Sequence, residues 1–181
     1  MDLIGWLQHF VLWIESHPGV ASWVQAFGSF VAIVAAFMIG NKQMALQVKQ
    51  KKSEDNQKLQ AIYAVVTNAY TTVGELQFVI SNDISPAAFR SDWHSLHGPL
   101  IEASYESLRK IPTHEFGSYD LVYAFNGLLS AVTNIRGRVI IALGATAFYE
   151  QEMGYMFEEV KVQADMLEYH WKQFRSACSI T

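Results

Sequence analysis

A run of 26 residues, 16–41, carries no formal charge, and this limits the folds open to the chain more than any other feature. Its densest part, WVQAFGSFVAIVAAFMIG at 23–40, is apolar on every side of a helix. The 21 residues 20–40 rise about 31 Å as a helix, at about 1.5 Å each, which matches a hydrocarbon core about 30 Å thick. Ser16 suits a cap and Pro18 a first turn. A cleaved signal peptide needs basic residues ahead of its apolar region, and here the first Lys or Arg is Lys42. The run predicts a transmembrane helix over residues 18–41.

Charge sets the expected orientation. Residues 1–40 sum to −2, residues 41–60 to +3 through Lys42, Lys49, Lys51, Lys52 and Lys58, and the remainder to −5. All positive charge near the span follows it, so the positive-inside rule places the N-terminus outside and residues 42–181 in the cytoplasm of a bacterial inner membrane. Ahead of the span, Leu3, Trp6, Leu7, Phe10, Trp13 and Ile14 recur at helical spacing. Residues 1–17 therefore predict an interfacial amphipathic helix held by Trp6 and Trp13, with Trp23 and Lys42 marking the two ends of the span. The alternative is a hairpin in which residues 3–15 also cross, but that stretch is short for a span.

Gly28, Ala32, Ala36 and Gly40 recur every four residues, with Gln25, Ser29 and Ala35 beside them and Phe27, Phe30, Val31, Val34, Phe37 and Met38 opposite. Small residues in register let helices approach closely in lipid, and Gln25 can hydrogen-bond across such an interface. The stripe predicts a homo-oligomer seam. A stricter version places Gln25 and Ser29 on a water-filled pore.

Met44 and Val48 keep helical spacing beyond the span, but residues 49–58 are polar all round, and residues 42–58 predict a basic helical stalk or a flexible linker whose lysines sit near anionic headgroups. Residues 59–181 predict a helical bundle, making the whole chain all-α. Leu59, Ile62, Tyr63, Val66, Tyr70, Val73, Leu76 and Ile80 step by three and four along one helix. Short helices are expected from Pro86 to His97 and from Pro99 to Ile111, separated by a break at Gly98-Pro99, with a stop and cap at Pro112 and Thr113. Two long helices follow. Leu121, Phe125, Leu128, Val132, Ile135, Val139 and Ala142 mark the first, and Gly144 its turn. Tyr149, Met153, Met156, Val160, Leu167, Trp171 and Phe174 mark the second. No stretch alternates as a strand does.

The chemistry-bearing motifs are sparse. No P-loop, dinucleotide fingerprint, HExxH, CxxC or nucleophile elbow is present, and no cofactor or metal is expected. The lone Cys178 excludes an intrachain disulfide, and a net charge of −4 argues against general nucleic-acid binding. His94 and His97 lie three apart near Asp92 and Glu102, which is short of a third fixed metal ligand and suits exposed or capping histidines. Arg136 and Arg138 interrupt an apolar helix, as solvated residues or as an anion-binding pair.

Arg90 and His97 enclose six residues, as in the Arg-x(4–6)-His motif of HEPN-class helical ribonucleases. Arg109 and His114 fit the same spacing, interrupted by Pro112. The layout resembles the CRISPR type VI-B accessory membrane proteins, in which an N-terminal membrane helix precedes a small HEPN-like bundle. That resemblance implies a multimeric pore. Carried onto Arg90 and His97, it also implies RNA contact and activation at a dimer interface.

Three functions follow as expectations. One is an oligomeric membrane effector that perturbs or permeabilises the bilayer, in phage defence if the resemblance holds. Another is an anchor or adaptor whose bundle recruits a cytoplasmic protein or ligand. The third is a membrane-tethered ribonuclease using Arg90 and His97. The expected partners are membrane lipid and further copies of the chain.

Overall fold

The computed structural model describes residues 3–16, 18–144 and 150–178, and every element among them is helical. His17 and Tyr149 lie outside the described residues. The chain divides into two compact units, Met1–Asp55 and Asn56–Thr181.

The first unit holds helix α1, Leu3–Glu15, and the N-terminal part of α2, which as an element runs Pro18–Ser81. Within α1 the rings of Trp6 and Phe10 stack one turn apart, with centroids separated by 5.4 Å. At the end of α1 the Ser16 hydroxyl donates to the Trp13 carbonyl at 2.8 Å. Residues 42–58 are helical, and every side chain over residues 22–58 is exposed. Among the described residues two helices, α2 and α5, are long and apolar enough to cross a membrane.

The second unit is a bundle built from the C-terminal part of α2, α3 (Pro86–Asp92), α4 (Gly98–Arg109), α5 (Tyr119–Gly144) and α6 (Glu150–Cys178). Each long helix buries one stripe. Helix α2 contributes Val66, Val73, Leu76 and Ile80, while α5 contributes Phe125, Leu128, Val132, Ile135 and Val139. Helix α6 contributes Met156, Val160, Leu167 and Phe174. Residues spaced by three and four share a helix face, so a single stripe per helix is enough to close a core. Phe89 meets Phe157 edge-on at 5.0 Å, and Phe116 meets Phe125 at 5.1 Å, the arrangement ring quadrupoles favour. Trp171 stacks on Tyr70 at 5.3 Å and joins α6 to α2.

Three local expectations are corrected. There is no break at Gly98-Pro99. Instead α3 runs through a π-helical turn, Trp93–His97, directly into α4. A proline in an α-helix lacks its N–H and drives its ring into the carbonyl four residues back. The widened turn avoids that conflict, since the Gly98 N–H donates to the Trp93 carbonyl five residues back. Thr113, expected as a cap, is instead the first residue of a 3-10 turn, Thr113–Glu115, whose cap position is Pro112 and carries no side-chain cap bond; α5 starts later, at Tyr119, after Gly117 at φ +65°. Finally, His97 is not an exposed histidine but a buried one, 4% accessible.

Candidate functional site

In the first unit, the stripe Gly28, Ala32, Ala36 and Gly40 is exposed along its whole length, as are Gln25 and Ser29. A Cβ placed on Gly28 or Gly40 would meet nothing within 4 Å. Phe27, Phe30 and Phe37 are 67%, 63% and 69% accessible, so the bulky residues are as uncovered as the small ones. The Ser29 hydroxyl donates to the Gln25 carbonyl at 2.9 Å. That bond leaves the hydroxyl satisfied within its own helix, the usual fate of a serine in an apolar span. Trp6, Trp13, Trp23 and Lys42 are all exposed.

In the second unit, Arg90 and His97 differ in exposure. Arg90 is exposed at the end of α3, while His97 is buried on the π turn. His94 is exposed, and Glu102 is engaged elsewhere by Arg136. The described residues contain no group of three His, Cys, Asp or Glu side chains placed to hold a metal ion. Arg136 makes a two-pronged pair with Glu102, with Nη2 donating to Oε1 at 3.1 Å. It also lies over the Tyr105 ring, 4.9 Å from its centroid. Hydrogen bonding to Glu102 raises the Arg136 pKa above its ordinary value. Arg138 pairs with Glu159 at 3.2 Å. Both arginines thus tie α5 to its neighbours instead of presenting an anion site.

His97 lines a groove of about 770 Å³ between α2, the π turn and α6. Helix α2 supplies Tyr70, Val73, Gly74 and Phe78, the turn supplies Asp92, Leu96 and His97, and α6 supplies Leu167 and Glu168. Val73 and Leu167 are each 1% accessible, whereas Phe78 and Leu96 are 70% and 53% accessible. The groove therefore has a core-like base and an apolar rim open to solvent. Gly74 leaves α2 low one turn before Phe78, and its missing Cβ would meet nothing within 4 Å. The extra residue of the π turn shifts the helix register there, with Leu96 exposed and His97 buried.

The polar residues of the groove are mostly committed. Thr71 and Ser95 donate to the Thr67 and Ser91 carbonyls at 3.0 and 2.9 Å, and Gln77 donates to Asp165 at 3.4 Å. Glu168 pairs with Lys172 at 2.6 Å, which raises the lysine pKa. Glu75 and Asp92 add two further carboxylates, and no Lys or Arg lines the groove among the described residues. The Nδ1 atom of His97 is buried without a hydrogen-bond partner.

The groove was not anticipated from the sequence. Two signals pointed toward it: Phe78, an aromatic residue off the buried stripe of α2, and Gly98-Pro99 inside otherwise helical sequence. No family model, curated protein or solved structure matches this chain.

Proposed function

We propose that the protein is a membrane-anchored adaptor: the apolar part of α2 lies in a bilayer, and the bundle takes a cytoplasmic partner or ligand in its groove. The observation that carries the reading is the uncovered apolar surface over residues 22–40, where every side chain is exposed within the folded chain. Apolar area in water is unfavourable by about 25 cal/mol per Å², and a surface this long and uncharged fits hydrocarbon. The lysines of residues 42–58 argue for an inner membrane with the bundle in the cytoplasm.

Fractionation of cells expressing the full chain tests the anchor. The protein is expected in the membrane pellet, resistant to alkaline carbonate and released by detergent. An external protease should leave residues 42–181 intact in intact cells. Recovery as a soluble protein would overturn the reading, and cleavage of the bundle from outside would reverse the topology.

A second reading, an oligomeric membrane-perturbing effector, is favoured by the exposed stripe of Gly28, Ala32, Ala36 and Gly40 together with the Trp6–Phe10 pair on α1. It predicts a discrete multimer in detergent, disrupted by Gly28→Leu/Ala32→Leu, and dye leakage from liposomes that the same variant abolishes. A monomer under gentle conditions rejects it. A role in phage defence rests on the layout resemblance alone. The ribonuclease reading ranks below both, because Arg90 is exposed and His97 buried. Unchanged biological activity in Arg90→Ala would remove it.

A further inference from the structure

We infer that the stalk presents a basic helix face, Lys42, Lys49 and Lys52, that binds the phosphates of anionic lipids in the leaflet from which α2 emerges. The inference rests on the anchor reading and deepens it by naming the lipid chemistry. The face exists because the stalk is a helix. A flexible linker would scatter its lysines, whereas α2 runs without interruption through residues 41–52. At 3.6 residues per turn, Lys42, Ala45, Lys49 and Lys52 step by three, four and three and share one side of the helix. The three lysines fall within about 80° of arc, and Lys51 lies about 180° from Lys42.

No carboxylate competes for this face. Residues 16–53 contain no Asp or Glu. Glu54 and Asp55, the first to follow, are turned about 100° or more from the centre of the lysine arc. Lys42, Lys49 and Lys52 are exposed and have no ion-pair partner among the described residues. Three unanswered charges along one line attract anions, and a bilayer supplies lipid phosphates where that line begins.

Helix geometry sets the heights. Lys42 is two residues past Gly40, Lys49 nine and Lys52 twelve. On an upright helix they stand about 3, 14 and 18 Å beyond the end of the apolar run. The polar layer of a bilayer is about 5–8 Å thick on each side, so Lys42 lies within it. Lys49 and Lys52 start about 6–13 Å outside it. Two effects narrow that gap. A lysine carries its ammonium on a flexible four-carbon stem that bends back toward the surface, and spans lean by about 20° on average. Leaning toward the basic face lowers all three lysines together and lifts Lys51 away. The remaining separation is on the order of one Debye length, about 8 Å at physiological salt, within which a lysine still feels an anionic surface. Side chains make the contact, so the stalk amides stay open to water.

The test reconstitutes the full chain in phosphatidylcholine bilayers carrying a trace of spin-labelled phosphatidylglycerol or spin-labelled phosphatidylcholine. Electron spin resonance then measures how much of each label is immobilised at the protein. The anionic label should be favoured about threefold or more, because each lysine at the surface favours an anionic lipid about fivefold and only part of the lipid shell lies beneath the face. The preference should largely vanish in 1 M salt, where the Debye length is about 3 Å. Lys49→Gln should cut it about twofold and Lys42→Gln/Lys49→Gln/Lys52→Gln should bring the labels close to parity, while Lys51→Gln should leave it nearly whole. Equal immobilisation of the two labels, a preference that survives the triple substitution, or equal losses in Lys49→Gln and Lys51→Gln would each overturn the assignment. Inorganic phosphate that erases the preference further than chloride at matched ionic strength would also overturn it, by making a free anion the ligand. Immobilisation of neither label would instead reject the anchor, so failure of the lipid site and failure of the anchor are distinguishable.

Discussion

Single residues show where the sequence misled and why. Gly98 followed by Pro99 suggests a helix break, because both residues disfavour helix interiors. In the structure Gly98 is needed for space instead. A Cβ there would sit 2.6 Å from the Trp93 carbonyl oxygen and 3.0 Å from the Trp93 indole nitrogen. The first of these is backbone, held by the π turn itself, so it has little room to give. Gly98→Ala should therefore destabilise the bundle by about 1–3 kcal/mol, the usual range for overpacking. Gly154, in α6, has nothing within 4 Å of its Cβ position, and Gly154→Ala should stabilise by about 0.5–1 kcal/mol. Denaturant titrations of the two variants beside the parent give opposite signs if this is right; two shifts of the same sign would reject it.

Cys178 yields a cleaner residue-scale prediction because it is the sole thiol. Burial raises its pKa, so less thiolate is present near neutral pH than on an open cysteine, and the thiolate is the reactive form. Alkylation of the folded chain near neutral pH should run slower than that of the same chain in denaturant. Equal rates would show that the site does not shield the thiol. The linkage has a definite sign. A group whose pKa is raised by folding contributes stability that is complete below the ordinary thiol value and is lost as the pH rises through the raised one.

At the scale of elements, periodic stripes were legible and aperiodic segments were not. Val66, Val73, Leu76 and Ile80 of α2, like Phe125, Leu128, Val132 and Ile135 of α5, are buried as their spacing requires. Residues 49–58 left a helical stalk and a linker both open, because a segment that is polar all round has no face for a periodicity to reveal. The whole stretch 42–58 is helical, with every side chain exposed. Lys58 reaches another element, in an exposed pair with Glu115 at 3.4 Å; the rest of the stretch is held by local bonds, and isolated helices of this length are marginal in water. Hydrogen exchange along α2 in nanodiscs should therefore fall into three regimes. Amides of residues 22–40 should be protected by lipid, those of 42–58 should exchange fastest, and those of 66–80 should be protected by the core. Fast exchange over 22–40 would count against burial in a bilayer, and slow exchange over 42–58 would reveal packing partners that the single chain does not contain.

Across the whole molecule, the two long apolar helices differ in what covers them. The side chains of α2 over residues 22–40 touch solvent throughout. Helix α5 buries Leu121, Phe125, Leu128, Val132, Ile135 and Val139, and it carries Arg136 and Arg138 paired to Glu102 of α4 and Glu159 of α6. Length and composition alone do not separate these cases, because a core helix and a membrane span both read as long apolar stretches. What separates them is the partner set. A paired arginine inside a bundle is a surface or interhelical feature, whereas a lipid-exposed one at mid-bilayer is unfavourable by about 2.5–3.5 kcal/mol on insertion scales. Among the described residues, the buried hydrophobic ones lie between Val66 and Phe174, within the unit Asn56–Thr181. A fragment of residues 56–181 should accordingly express as a soluble, helical domain that melts cooperatively without detergent, while the full chain requires detergent. Circular dichroism melts and sedimentation of the two proteins decide it. A fragment that aggregates, or that partitions into liposomes, would identify α5 as a second membrane helix and dissolve the distinction between anchor and bundle on which the adaptor reading depends.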